Sequence, residues 1–352
     1  MKKQVRLFNF DGCKWSTFFD PNTGFYLRKE LGKDEPFWGP LPELLDISIT
    51  NSCGKGCSYC YQNATPGGRS MSLDEYRSIL SQVKGHVQQV ALGGGEPTEH
   101  PEFIELLRTT REDFDIIPSY TTNGSPETLT DEIVEATKKY CGAVAVSWHE
   151  GSDKQFALKR FLNADVTTNI HFIVDASNID KAIEMLEERP FTEGINAIIF
   201  LLHKPVGRAA HGKLVLQFDE KVQRFLDLAQ KDYPFQVGFD ACFASALTAH
   251  TDITQDCYDT CDGGRFSCYI DADMNVSPCS FDKRRHYGSL NESTLEEIWM
   301  GEAFTEYRSC YREACSSCTK RRSCMGGCAL HPEVVMCEKD KRTTGGFANN
   351  EN

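Results

Sequence analysis

Asn51-Ser52-Cys53-Gly54-Lys55-Gly56-Cys57-Ser58-Tyr59-Cys60-Tyr61 sets three cysteines on one short glycine-bearing loop, spaced C-x3-C-x2-C. Directly before it, Leu45-Asp46-Ile47-Ser48-Ile49 alternates apolar and polar positions as a half-buried strand does. Thiolates bind iron strongly, and a loop this short lets three of them converge on one face of a cluster. Three ligands on a four-iron cube leave one iron open, and an open iron can bind a substrate as well as carry an electron. Structural zinc takes four ligands, usually in two separated pairs, whereas this loop offers three and no neighbouring histidine.

A strand–helix rhythm runs downstream of that loop. Ser72-Leu73-Asp74-Glu75 is a capping box that opens a helix through about Val83. Strands are expected at Val87 to Leu92, Ile116 to Thr121, Ala143 to Ser147, Val166 to Val174 and Ile195 to Leu201. Helices are expected after Pro101 and around Glu132 to Tyr140, Lys154 to Leu162, Ile179 to Leu186 and Val222 to Leu228. Six such units predict parallel strands joined by crossover helices. The fold class is therefore α/β: a partial (β/α)6 TIM-type barrel over residues 44–239, with a doubly wound sheet as the alternative. Functional groups of such barrels sit at the C-terminal strand ends, where these motifs fall. Residues 1–43 read as a lead-in with a hairpin around Asp20-Pro21-Asn22-Thr23-Gly24. After about Asp240 the rhythm stops, and residues 240–340 read as a small cysteine-rich α+β iron–sulfur domain. The polar tail 341–352 reads as disordered.

Sixteen cysteines are the strongest compositional signal among the 352 residues. Three lie in the loop above, eleven lie from Cys242 to Cys337, and Cys13 and Cys141 stand alone. No stretch is apolar enough to span a bilayer, and Gln4, Arg6, Asn9 and Asp11 interrupt any signal-peptide core, so a cytoplasmic, reducing setting is expected. Clustered cysteines there mean metal or redox chemistry rather than disulfides. A net charge of −13 argues against nucleic-acid binding, and the basic run Lys320 to Arg322 reads as a solvated loop.

The three-cysteine loop after the first barrel strand resembles the signature of the radical S-adenosylmethionine (SAM) superfamily. The resemblance implies a 4Fe-4S cluster on Cys53, Cys57 and Cys60, with its open iron chelated by the amino and carboxylate groups of SAM. Tyr59 matches an aromatic position near the adenine. Gly93-Gly94-Gly95-Glu96-Pro97 after the second strand resembles the family's GGEP segment, whose backbone approaches the methionine amino group. Asn123 after the third strand and Ser147 after the fourth match positions lining the nucleoside pocket. Pro205-Val206-Gly207-Arg208 resembles a PxGR segment, and Arg208 is expected either to meet a carboxylate, the cofactor's included, or to lie on the surface.

Cys315-x2-Cys318-x5-Cys324-x3-Cys328, followed by Cys337 and preceded by Cys261 and Cys279, resembles the SPASM auxiliary-cluster domain. One position departs from that pattern: Met274 stands where glycine is usual, which predicts a distorted turn before Cys279. By analogy, Cys261, Cys279 and Cys328 share one auxiliary cluster, and Cys315, Cys318, Cys324 and Cys337 hold another. Two complete four-iron clusters need about eight thiolates. Cys257 is preferred for the vacancy, with Cys268 or an open iron as alternatives; Cys242 and Cys310 receive no assignment. A zinc ribbon is the competing reading of this region.

The resemblance further implies reduction by an external donor of flavodoxin or ferredoxin type, cleavage of SAM, and hydrogen abstraction by a 5′-deoxyadenosyl radical. Auxiliary clusters suit oxidation of the substrate radical, and the expected substrate is a peptide or protein that acquires a crosslink or similar oxidation. Small-molecule or cofactor-biosynthetic chemistry, sulfatase maturation and a non-catalytic iron–sulfur or zinc scaffold are the other readings. Sulfatase-maturing relatives carry Asp directly after the cysteine equivalent to Cys279; here Ser280 stands there, and the nearest acid is Asp282.

Overall fold

Strand β4 (Leu44–Thr50) carries the pattern that organises the molecule: Leu45, Ile47 and Ile49 are fully buried on one face, and Asp46, Ser48 and Thr50 occupy the other. The computed structural model describes residues 3–21, 25–32, 36–149, 153–210, 214–254, 257–310 and 315–337. Helix α1 (Leu73–Val83) starts at the expected capping box and lays Tyr76, Ile79, Leu80 and Val83 into the same core as the apolar face of β4. The rhythm then repeats. β5 (Gln89–Gly94), β6 (Ile117–Thr122), β7 (Val144–Ser147), β8 (Thr168–Val174) and β9 (Ala197–Leu202) follow, each parallel to its predecessor. Helices α2 (Phe103–Arg108), α3 (Asp131–Tyr140), α4 (Lys154–Asn163), α5 (Ile179–Glu187) and α6 (Glu220–Ala229) cover them.

Three strands lie outside the expected six units. β10 (Gln236–Phe239) adds parallel to β9; it has four residues, one of them Gly238, too few for an alternation to register. β11 (Ser267–Ile270) adds parallel to β4, and β12 (Val276–Ser277) pairs antiparallel with β11. The sheet order is β10-β9-β8-β7-β6-β5-β4-β11-β12, so it curls from β4 to β10 without closing and is extended at the β4 edge by C-terminal residues. Met274 takes the left-handed conformation at the β11–β12 turn (φ 69°), and its N–H donates to Asp271 O at 3.0 Å. The turn that glycine usually makes is therefore formed by methionine, whose side chain is buried.

The lead-in is a three-stranded antiparallel sheet, β1 (Gln4–Phe10), β2 (Cys13–Asp20) and β3 (Phe25–Glu30), one strand more than the expected hairpin. Residues 22–24 of its turn, and the tail beyond Cys337, lie outside the described residues. Glu43 fastens the sheet to the barrel, accepting from Trp15 Nε1 at 3.0 Å, from Arg28 Nη2 at 2.8 Å and from the Tyr26 hydroxyl. Arg28 also reaches Asp262 at 3.4 Å. In the C-terminal region, α7 (Ala244–His250) packs with α10 (Arg321–Cys324) and α8 (Leu295–Met300) with α9 (Glu302–Ser309), and Trp299, Phe304, Leu330 and Val334 join the barrel's own apolar core. Among the described residues no helix is long and apolar enough to cross a membrane.

Candidate metal centre

The three-cysteine loop leaves the C-terminal end of β4 and is pinned to its surroundings. Cys53 N donates to Thr65 O at 3.1 Å, and Thr65 N returns to Asn51 O at 3.2 Å. Glu99 accepts from Ser52 Oγ at 2.8 Å and from Gly54 N at 2.9 Å. Arg208 is part-buried, and its guanidinium donates to Cys57 O and Ala64 O, both at 2.8 Å, while its own N–H donates to Cys60 O at 3.0 Å. Gly207 (φ 67°) makes this approach possible, because a Cβ there would lie 2.4 Å from Cys60 O. Arg208→Ala is expected to remove two charge-assisted bonds worth about 1.5–3 kcal/mol each and to speed iron loss to a chelator several-fold. Arg208→Lys should not restore retention, since an ammonium lacks the planar fork.

The GGEP segment is bolted to the same loop. Gly95 N donates to Thr50 O at 2.6 Å and Glu96 N to Ser52 O at 2.8 Å. Cβ atoms at Gly94 and Gly95 would lie 2.2 Å from Thr50 O and 2.0 Å from Ser52 O. These glycines thus serve a close approach to the cluster loop itself. The Glu96 carboxyl is buried and accepts from Thr98 Oγ1 at 2.8 Å, Thr122 Oγ1 at 2.7 Å and Asn123 N at 2.7 Å. It joins the ends of β5 and β6; burial raises its pKa while these donors oppose the rise. Glu96→Ala would strand the Asn123 amide at a cost of about 1–3 kcal/mol, and thermal or urea unfolding is expected to show at least that loss.

Tyr59 packs edge-on against His149 at 5.1 Å, which brings the loop tip to the end of β7 near Ser147. Ser147 shares its register position with His171 on β8, and His171 Nδ1 lies 3.2 Å from Thr121 Oγ1. Burial holds His171 near pKa 4, so a neutral imidazole lines this interior. Asn123 Oδ1 accepts from Ser125 N at 2.9 Å, so its side chain shapes the turn after β6.

On the opposite side of the interior is a cavity of about 860 Å³. Asp46, β10, β11, edge strand β3 and the segments around Cys261 and Cys279 line it. Burial lifts the Asp46 carboxyl to about 7. Between this cavity and the loop, Tyr61 stacks on Phe281 at 4.6 Å, Gln62 Nε2 donates to Tyr269 OH at 2.9 Å, and Lys283 Nζ donates to Gln62 Oε1 at 3.1 Å. Residues flanking Cys60 thereby touch residues flanking Cys279.

The other cysteines fall into groups. Cys324 lies in electrostatic reach of Cys315 and Cys337, and Cys318 N donates to Cys315 O at 3.1 Å. Cys261 and Cys279 neighbour each other, and both lie in reach of Cys242. Cys257, preferred above for the eighth ligand, is exposed with its Sγ 3.4 Å from Thr254 Oγ1. Cys268 pairs in register with Leu45 and so faces the helix side of the sheet, away from Tyr269 and Asp46. Among the described residues no three Cys, His, Asp or Glu side chains converge on a single ion. Thiolates of a four-iron cube each bind a separate iron and stand further apart than ligands of one ion. Three half-buried cysteines on a loop locked by Arg208, Glu99 and Gly95 therefore fit a cluster. Glu99 and Cys242 had no sequence signal of their own, because their partners are distant in the chain or known only from the fold.

Residues 47–205 match the Radical SAM superfamily, and residues 261–324 match SPASM, an iron–sulfur cluster-binding domain. The chain belongs to the radical SAM superfamily of enzymes, with the α/β partial barrel of that class followed by a cysteine-rich SPASM domain. The class uses a 4Fe-4S cluster with SAM, and SPASM domains carry auxiliary iron–sulfur clusters. Among similar proteins, the sporulation killing factor maturation protein SkfB of Bacillus subtilis (strain 168) is 24% identical over 280 residues, which span 73% of this chain and 65% of that protein. Mycofactocin maturase MftC of Mycolicibacterium smegmatis is 26% identical over 310 residues, 82% of this chain and 78% of that one. Streptococcus suis SuiB bound to SAM shares the fold, with a TM-score of 0.66 at 18% identity over 86% of this chain and 78% of that one. The same protein solved with its precursor peptide SuiA gives 0.66 at 19% identity, over 86% and 76%.

Proposed function

We propose that the chain oxidatively modifies a peptide, using a radical generated from SAM at Cys53, Cys57 and Cys60. Cys53, Cys57 and Cys60 would hold a 4Fe-4S cluster, which with SAM and an electron from an external donor would supply a 5′-deoxyadenosyl radical able to take a hydrogen atom from the substrate. Arg208 and Glu99 hold the loop rigid, and Gly94 and Gly95 let the β5 end close on it. Asn123 and Ser147 at the ends of β6 and β7, with Tyr59 of the cysteine loop packed against His149 beside them, would line the nucleoside, and the barrel walls would exclude water from the reacting atoms. Asp46 lines the cavity with a pKa near neutrality and is placed to exchange a proton with the substrate. Tyr61 and Gln62, which follow Cys60, touch Phe281 and Tyr269 and so form a packed link from the first loop to the auxiliary region, where the substrate's electron would be accepted.

The observation that carries the peptide reading is the open cavity bordered by edge strand β3 on one side and by the segments around Cys261 and Cys279 on the other. The names of SkfB and MftC as maturation proteins, and SuiB with a bound precursor peptide, support the same substrate class. Asp282, the acid nearest Ser280, already accepts from Tyr287 OH at 2.7 Å and from Arg284 N at 3.1 Å, which weighs against it as the base of sulfatase maturation. The test is anaerobic turnover with SAM, a reductant and short peptides encoded beside the gene. The expected product has lost a pair of hydrogens; 5′-deoxyadenosine release with no peptide ever changing mass, while a small-molecule substrate is consumed, would overturn the peptide reading.

A further inference from the structure

Cys242 sits in a 3-10 turn, Ala241–Phe243, directly after β10. The turn is fixed from both sides: Asp240 N donates to Phe200 O at 2.9 Å, and Phe243 N donates to Asp240 O at 3.0 Å. The Asp240 carboxylate pairs with buried Lys204 and accepts from Leu202 N at 3.2 Å, so the end of β9 holds the turn in place. Cys242 is thus presented by the barrel, toward the C-terminal region.

Three cysteines meet it there. Gly327, next to Cys328, stands against Ser245, three residues after Cys242, where an added Cβ would lie 3.4 Å from the Ser245 Cβ, and the Cys242 and Cys328 thiols lie in electrostatic reach of each other. Cys261 and Cys279 neighbour one another and both lie in electrostatic reach of Cys242. Cys242, Cys261, Cys279 and Lys204 line the same cavity, and Tyr307 lies in electrostatic reach of Cys261, Cys279 and Cys328, so the four cysteines share one neighbourhood. They come from four separate segments: the end of β10, the loop before β11, the loop after β12 and the loop after α10. Cys328 is buried and the other three are part-buried, and four cysteines gathered from four segments are the ligand set that a four-iron cluster takes as thiolates.

We infer that Cys242 is the fourth thiolate ligand of the auxiliary cluster whose other ligands are Cys261, Cys279 and Cys328. The competing cysteines are placed otherwise: Cys257 is exposed against Thr254, Cys310 is exposed at the end of α9, and Cys268 faces the helix side of β11. Two consequences follow. This cluster has no open iron, so it transfers electrons and does not bind the substrate by coordination. It also cross-links the last barrel strand to the SPASM domain, which makes cluster occupancy and domain docking one event. The inference rests on the SPASM assignment and not on the peptide reading.

The test uses the full chain with Cys53, Cys57 and Cys60 replaced by alanine, so that only auxiliary clusters remain, reconstituted anaerobically. Its readouts are iron content and the electron paramagnetic resonance spectrum of the reduced protein, neither of which needs SAM cleavage. This parent is expected to hold about eight irons. Adding Cys242→Ala is expected to halve that count or to open one cluster to a three-iron form. Adding Cys242→Ser, nearly isosteric, is expected to keep the iron but shift the signal of one cluster, because an alkoxide replaces a thiolate. Cys257→Ala in the same parent is expected to leave count and spectrum unchanged. An unchanged spectrum in the Cys242→Ser variant overturns the inference whatever the alanine variant does, as does loss of a cluster on Cys257→Ala.

Discussion

Alanine in place of Cys53 is expected to bring 5′-deoxyadenosine release down to the level of a protein-free control, measured anaerobically with dithionite and SAM. Cys53 is one of three thiolates on a loop that has no fourth donor close in sequence. With two thiolates the cube loses the ligand set that leaves a single iron free, and no neighbouring side chain takes over: Glu99 is engaged by Ser52 and Gly54, and Glu96 by Thr98, Thr122 and Asn123. The fold itself should survive, because Cys53 is only half-buried and its backbone bond to Thr65 does not need the side chain. Iron content is expected to fall from about twelve to about eight per chain, the auxiliary complement remaining. Full activity in this variant would overturn the assignment of the SAM-cleaving cluster to Cys53, Cys57 and Cys60.

The second large effect is expected from Gly95→Ala. The new Cβ would lie 2.0 Å from Ser52 O and 2.6 Å from its carbonyl carbon, far inside contact distance. The clash has no soft partner. Both atoms are backbone, and they are held by Gly95 N to Thr50 O and Glu96 N to Ser52 O. Relief requires moving the cluster loop as a body, which also strains its bonds to Glu99 and Arg208. Overpacking of this kind costs about 1–3 kcal/mol even where side chains can yield, and more where they cannot. SAM binding, read by equilibrium dialysis or by the change it causes in the cluster's spectrum, is expected to weaken by at least about tenfold, the equivalent of 1.4 kcal/mol. Gly54→Ala is the matched control. Its Cβ would meet only Glu99 Oε1 at 3.6 Å, an ordinary contact, and most binding should remain.

What could be read from the chain alone was local in character. The cysteine loop, the capping box at Ser72 and Glu75, and the six alternating strands each depend on residues within a few positions of one another, so spacing and periodicity expose them. The missed parts depend on contacts made far along the chain. β11 pairs with β4 across more than two hundred positions, and nothing in Ser267-Cys268-Tyr269-Ile270 names that partner. Arg208 reaches the carbonyls of Cys57 and Ala64, groups every residue possesses, so the sequence could not single them out. Met274 shows the converse: the missing glycine predicted a distorted turn, and a methionine with a buried side chain takes the left-handed conformation there. Cys242 went unassigned because its neighbours, Cys261, Cys279 and Cys328, become neighbours only when β10 is laid against the C-terminal region.

The proposed chemistry needs one iron left free by Cys53, Cys57 and Cys60 and occupied by SAM. The most direct measurement is electron–nuclear double resonance on the reduced protein with SAM labelled with nitrogen-15 at its amino group. Hyperfine coupling between that nitrogen and the first cluster is expected, and it is expected to be absent when Cys53 is alanine. A fully loaded wild-type protein whose cluster signals stay unchanged and uncoupled on saturation with SAM would contradict it.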